Sequence, residues 1–372
     1  MRRFLLLKKY SWKVLSVVIL LLNAWWIFQT FQYDHYQEPL GKITKVKIVE
    51  KNDTIDEHQN KDIISTQQIH LTLLSTKNKG KELTILNKFS QSRIKDQEYK
   101  TGDLVFLSIK DNDFSQATII DSKRDTGLAI LMLGFVLLLI VIGRKSGVAS
   151  LIGLLINTGL FYLLLVLYEH VSSQSLIWLS LLFFPIIVAS TLIVSNGWNQ
   201  KTKISILTTL CSTLITFVLG VSIITLLKHK GLRYEEMELI TRPQHVLFIS
   251  SLLIGTMGAS MDISITLSTA MNEISQRHKQ LTPQSLYQSG IQVGSEVIGP
   301  MINTMFFSYL SGSIPLILIF LRNDMSFNYT FPISLSLEMT RALIGSIGIV
   351  LTIPITSYIA SIFLTRGNQY ER

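Results

Sequence analysis

Cysteine is almost absent from this chain. The only one among 372 residues, Cys211, lies in an apolar run, so no disulfide can form within the chain and any extramembrane domain must hold together by its core alone. Charge is scarce as well. Asp, Glu, Lys and Arg make up 16% of the residues, against 48% hydrophobic, whereas soluble proteins carry about 25% charged residues. The deficit argues against a surface wetted on every side and for broad contact with lipid. Enzymatic signatures are missing too. Neither a G-x-x-x-x-G-K-[ST] loop nor an H-E-x-x-H pair occurs, which argues against a P-loop ATPase and against that zinc-protease chemistry. The seven histidines, at 35, 58, 70, 170, 229, 245 and 278, fall in the soluble segment, in loops or near the ends of apolar runs. Their placement argues against a histidine metal site or proton relay at membrane depth. The sequence therefore gives no reason to expect a metal, a cofactor or a catalytic constellation.

What is present is a set of long apolar runs. The first, Trp12–Thr30, follows Arg2, Arg3, Lys8 and Lys9. A secretory signal peptide is one reading. An uncleaved anchor fits better, because the run is too long for a signal core and no small-x-small cleavage pattern follows it. Trp25, Trp26 and Tyr33 at its far end suit an interfacial aromatic belt. Seven further runs lie near residues 127–142, 147–168, 176–194, 204–227, 246–265, 297–321 and 337–364, each about long enough to cross a bilayer. The fold class expected is an all-α polytopic membrane bundle of about eight transmembrane helices with a small extracytoplasmic β domain. Residues 1–32 form a cytoplasmic tail and anchor, 33–125 the β-rich domain, and 126–372 a bundle of about seven helices.

Charge placement orients these segments. Residues 33–125 carry 15 basic and 15 acidic side chains, which leaves 19 basic and 10 acidic elsewhere. The excess of positive charge therefore belongs to the membrane part and its flanks and gives no support for nucleic-acid binding. With eight spans, Arg144 and Lys145, Lys201 and Lys203, Arg277 and Lys279, and Arg366 and Arg372 all share the side of the N-terminus. That side is the cytoplasm by the positive-inside rule. One loop dissents, since Lys228, Lys230, Arg233 and Arg242 would lie outside, partly offset by Glu235, Glu236 and Glu238.

Between the first and second runs the hydrophobic period changes to two. The segments KITKVKIVE, QQIHLTLLS, KELTILN, DLVFLSIK and QATIIDS alternate apolar and polar residues, with turn signals at Lys79-Gly80 and Thr101-Gly102-Asp103. Five short strands in so small a domain suit a closed barrel of the OB type, which removes sheet edges, or an open sandwich.

Ionisable residues inside the later runs are few. At helical spacing, Ser251, Gly255, Gly258, Asp262, Thr266, Thr269 and Glu273 make one small or polar stripe, while Leu252, Ile263 and Ile274 lie opposite. A carboxylate facing lipid costs at least about 2.5 kcal/mol, so the stripe should face protein or water. In the next run Gln292, Glu296, Gly299 and Asn303 share a face, and Gly299-Pro300 is expected to kink or break the helix. Glu338 and Arg341, at i and i+3, can pair. The bland reading of these residues is close helix packing and structural pairing. The sharper one is a polar cavity around Asp262 and Glu296, with Asn303, Thr266 and Glu273 as further candidates. Met257/Met261 and Met301/Met305 read as gap fillers.

Three segments resemble one family. They are Gly255-Thr-Met-Gly258-Ala-Ser-Met-Asp262, the run from Ser289 through Thr304, and the run from Glu338 through Thr356. Together they look like the bacterial YibE/YibF-like membrane proteins. The family often has Arg-Asp where this chain has Ser295-Glu296, so an ion pair there is not carried over. The resemblance implies a multi-pass plasma-membrane protein, often described as a transporter, with lipid and either a second membrane protein or a small solute as partners. The alternative expectation is a non-transporting assembly or envelope-interaction protein. The topology is testable by single cysteines and an impermeant thiol reagent. Lys145→Cys should stay unlabelled in intact cells and react after lysis, whereas Lys79→Cys should label in intact cells once the outer envelope is permeable to the reagent.

Overall fold

The computed structural model describes residues 2–55, 57, 59–75, 79–93, 96–109, 114–170, 175–234, 243–278 and 281–370. His58, Glu235, Glu236, Glu238, Arg242, Lys279 and Arg372, named above, lie outside these. Two compact units, Met1–Val148 and Ala149–Arg372, divide the chain.

In the first unit, helix α1 (Arg2–Thr30) leads into five strands, β1 (Leu40–Ile55), β2 (Lys61–Leu73), β3 (Glu82–Ser90), β4 (Leu104–Ser108) and β5 (Thr118–Ser122). Every alternating segment of the sequence became a strand. The alternation is plainest in β2, where Ile69, Leu71 and Leu73 are at most 1% exposed and His70 and Thr72 between them are only part-buried. These three pack with Ile43, Leu83, Ile85, Val105 and Leu107 into one core. Gly80 and Gly102 take positive φ at the two turns their sequences announced. Gln67, 2% exposed, donates to the Tyr99 carbonyl and accepts from the Tyr99 amide, so a non-strand segment is held against the sheet by a satisfied buried amide.

The sheet is wholly antiparallel with order β3-β2-β1-β4-β5, and it does not close. The OB-type barrel expectation is corrected on this point. β4 and β5 have five residues each against nine in β3, too few for the last strand to reach round and pair. The two edges instead flank a groove of about 670 Å³ lined by Thr84, Leu86 and Lys88 of β3 and Thr118 and Ile119 of β5.

The domain returns to where it left. The Tyr36 hydroxyl donates to one Asp125 carboxylate oxygen, and Lys123 Nζ reaches the other at 2.7 Å and the Thr126 hydroxyl at 2.7 Å. Thr126 in turn donates to the Thr30 hydroxyl at 3.2 Å. This chain of bonds joins the end of α1, the start of the domain and the start of the next helix. Burial first, and then the Asp125 carboxylate, hold the Tyr36 hydroxyl protonated well above its usual range.

Helix α2 (Asp125–Glu169) covers two of the apolar runs expected to be separate spans. The described residues thus include seven helices long and apolar enough to cross a membrane where about eight were expected. The reason is local: Arg144 interrupts α2 with φ 46° and ψ −121° and no loop intervenes. A Cβ on Gly147 would collide with the carbonyl of Leu139. Along a straight helix those residues stand about 12 Å apart, so the chain turns sharply at Arg144.

The second unit holds the later part of α2 and α3 (Ser175–Asn196), α4 (Gln200–Leu226), α5 (Gln244–Arg277), α6 (Pro283–Arg322) and α7 (Phe327–Tyr370). Asn199 caps α4 by accepting from the Thr202 amide, and Thr282 caps α6 by accepting from Ser285 with Pro283 at the first position. Apolar side chains cover the outside; Trp178, Val218 and Leu226 are all more than 60% exposed. Water would not tolerate so continuous an apolar surface, and lipid does. Asn157 and Thr191 exchange hydrogen bonds between α2 and α3.

Small residues let the inner helices approach. A Cβ on Gly290 of α6 would lie 2.6 Å from Ser357 Oγ of α7 and 2.8 Å from Met271 Sδ of α5. A Cβ on Gly299 would meet no atom of a neighbouring helix within 4 Å. Gly290→Val should therefore cost about 1–3 kcal/mol by overpacking, read as a lower melting temperature of the purified protein, while Gly299→Ala should leave it unchanged or slightly raised.

The β domain supplies a second prediction. Asp62 accepts from the Ser92 hydroxyl at 2.5 Å and from the Ile63 and Ser92 amides. These bonds, the Ser92 hydroxyl foremost, hold its carboxyl below the usual carboxylate range. A depressed folded-state value gives stability that is present above the unfolded value of about 3.9 and is lost as pH falls through the folded one. Residues 34–124 expressed alone should show β-type circular dichroism and a cooperative melt. Asp62→Asn should lower that melting temperature at pH 7 and have little effect at pH 2.5.

Candidate functional site

The stripe on α5 and the face on α6 come from helical spacing, and the structure packs these two helices side by side. Leu252 and Ile263 are 1–2% exposed and point into the bundle, so the stripe through Asp262 is turned to the less buried side of α5. There α5 and α6 border an open groove of about 550 Å³. Gly255, Ala259 and Asp262 line it from α5, and Pro300, Thr304, Ser308 and Tyr309 from α6, with Ile349 of α7. Gly255 makes room for Tyr309, whose hydroxyl a Cβ would strike.

Asp262 is exposed in the groove. Among the described residues it has neither a hydrogen bond nor an ion pair. Thr266, one turn on, lines a small apolar crevice with Val293 and Gly294 instead, and Glu273 is exposed near the end of α5. Gln292, Glu296, Gly299 and Asn303 are all exposed on α6, as a shared face requires, but none of them lines the groove. The carboxylates of Asp262 and Glu296 are thus on neighbouring helices without converging on one described cavity.

Pro300 lies inside α6, which runs on as one helix from Pro283 to Arg322. Lacking an N–H, the proline leaves the Glu296 carbonyl without its intrahelical donor. The Thr304 hydroxyl donates to the Pro300 carbonyl at 2.9 Å. The groove thus meets α6 at one of the two turns, at Pro300 and Pro315, where a proline interrupts its backbone ladder.

Glu338 and Arg341 pair as their spacing requires, Nη1 to Oε1 at 2.5 Å. The Arg341 guanidinium also stands 5.1 Å from the centre of the Phe248 ring. It is engaged there and does not neutralise Asp262 or Glu296. Among the described residues, no three His, Cys, Asp or Glu side chains gather as a metal ion would need.

One polar feature escaped the sequence reasoning. Thr202, Ser205, Thr208, Thr209, Ser212, Thr213 and Thr216 of α4 are all fully buried. Ser264 of α5 bonds to Ser205 and Thr208 across the interface, Ser260 lies with Thr216 at Gly348 of α7, and Ser268, Thr352 and Thr356 are equally buried on the same two helices. The three- and four-residue spacing on α4 was the available signal.

The seven apolar helices among the described residues, with an N-terminal antiparallel sheet domain, define a multi-pass membrane protein with a separate folded β domain. Residues 131–366 match the family described as YibE/F-like protein, and residues 34–122 match the YibE/F family N-terminal domain. The chain belongs to the YibE/F-like family. No curated protein and no solved structure matches it.

Proposed function

We propose that this chain is a permease-like protein of the cell membrane, without an ATPase of its own, whose polar centre is the α5–α6 groove. The observation that carries the reading is Asp262, a carboxylate on a long apolar helix, exposed in a groove and lacking any partner among the described residues. Such a group costs free energy in lipid, so its retention implies water or a solute beside it. The Thr304 and Ser308 hydroxyls add uncharged oxygens on the facing helix, at the turn where Pro300 lacks an N–H. Glu296, Asn303, Thr266 and Glu273 stay in the reading as further polar candidates outside the lining of the groove. The sharp turn at Arg144 supports eight crossings, with both termini in the cytoplasm and residues 33–125 outside.

A second reading has its own support. The exposed Gln292–Glu296–Asn303 face and the unpaired edges of β3 and β5 are surfaces that a second membrane protein and an extended peptide could cover. On that reading the protein is an assembly or envelope-interaction factor, and Asp262 needs no charge.

Asp262→Asn and Glu296→Gln separate the two. On the permease reading, Asp262→Asn inserts and accumulates at the parent level but does not complement a deletion strain, and Glu296→Gln complements partially. Full complementation by Asp262→Asn at native expression would defeat the permease reading and favour the interaction factor.

A further inference from the structure

The buried hydroxyls of α4, α5 and α7 present an unsolved hydrogen-bond account. Some are paired. Ser205 and Ser264 each donate to the other's carbonyl at 3.2–3.4 Å, and Thr208 and Ser264 bond through their hydroxyls. Thr216 and Thr352 bond back to their own helices. Yet Thr209 and Thr213 of α4, Ser260 and Ser268 of α5, and Thr356 of α7 have no partner among the described residues, and all five are 0% exposed. An unsatisfied buried hydroxyl costs about 1–3 kcal/mol. Five on three packed helices are too many for a dry interface.

The register brings them together. Gly220 of α4 meets Ile344 of α7, and Gly348 of α7 faces both Thr216 Oγ1 and Ser260 Oγ, each within 4 Å of where its Cβ would be. α4 therefore runs antiparallel to α7, and Thr356 comes level with Thr208 and Thr209. α5 follows α7 in the same direction, since Ser260 lies by Gly348 and Ser264 by Thr208, and this brings Ser268 within about a turn of the level of Thr356. From Thr202 to Thr216 the polar stripe rises about 21 Å, roughly two-thirds of a hydrocarbon core about 30 Å thick. Beyond it the same three helices turn apolar, with Ile224, Phe248, Leu252 and Ile344 packed as one cluster.

We propose that this seam is a binding site for a file of ordered water molecules, a polar half-path through the bundle that begins at the Lys201–Lys203 end of α4 and is stopped by the Ile224–Phe248–Leu252–Ile344 cluster. Water suits the site because it donates as well as accepts, and buried waters commonly make about three bonds to otherwise unpaired groups. Among the described residues, no Asp or Glu is buried with these hydroxyls to compensate a cation. The inference is independent of the groove at Asp262.

The test is thermal melting of the purified full-length protein in sodium chloride and in choline chloride. Thr209→Val, Thr213→Val and Thr356→Val keep the side-chain shape and remove the hydroxyl. Each should lower the midpoint by about 2 °C or more, equally in both salts. The matching Thr→Ser variants should fall less, and Thr225→Val, on the exposed side of α4, should not move it. Valine variants that melt at or above the parent would show a dry seam and overturn the proposal. Serine variants that fall as far as the valine variants would assign the loss to packing and overturn it. A midpoint raised by sodium in the parent but not in the valine variants would assign the site to a cation instead of water.

Discussion

Hydrocarbon offers no hydrogen bonds, and that constraint organises the membrane unit of this protein. Each polar group carried into the bilayer has to find its partner inside the chain or bring water with it. The outcome is a bundle turned inside out relative to a soluble one, with tryptophan, valine and leucine outside and threonine and serine within. The polar side chains that did find partners are tied locally: Asn157 to Thr191, Glu338 to Arg341, Ser205 to Ser264. Among those that did not, the hydroxyls of the α4–α5–α7 seam and Asp262 in the α5–α6 groove carry the functional account; Ser180, Ser250, Thr330 and Ser334 are buried and unpartnered elsewhere among the described residues.

Glycine makes both places possible. Gly220, Gly290 and Gly348 let helices approach until side chains touch backbone, which fixes the register that aligns the hydroxyls of three helices. Gly255 leaves room for the Tyr309 hydroxyl at the groove, and Pro300 opens the backbone opposite Asp262. In the other unit the node of Thr30, Tyr36, Lys123, Asp125 and Thr126 brings the two ends of the β domain together. A domain pinned at both ends can leave and re-enter the membrane at one face.

Much of this was legible in the sequence because it is local. Alternating residues placed the five strands, and runs of apolar residues placed the helices. The i, i+3 pair of Glu338 and Arg341 and the shared face of Gln292, Glu296, Gly299 and Asn303 follow from helical geometry alone. What was not legible depends on distance along the chain. Barrel closure turns on whether β5 can reach β3, a matter of strand length and turn geometry that periodicity does not carry. The Tyr36–Asp125 bond joins residues on either side of the whole domain. The separation of Asp262 from Glu296 is set by how α5 and α6 pack. The α4 hydroxyls were overlooked for another reason: Ser and Thr are near neutral in hydropathy, so a buried hydroxyl stripe reads as an ordinary span.

The most direct test of the central claim, that unpartnered polar groups within the bundle are hydrated, is a high-resolution density map of the full-length protein in lipid nanodiscs. The account predicts discrete solvent peaks within hydrogen-bond reach of Thr209, Ser268 and Thr356, and solvent rather than acyl-chain density beside Asp262. Side chains packed without solvent in the seam, with an acyl chain lying against Asp262, would contradict it.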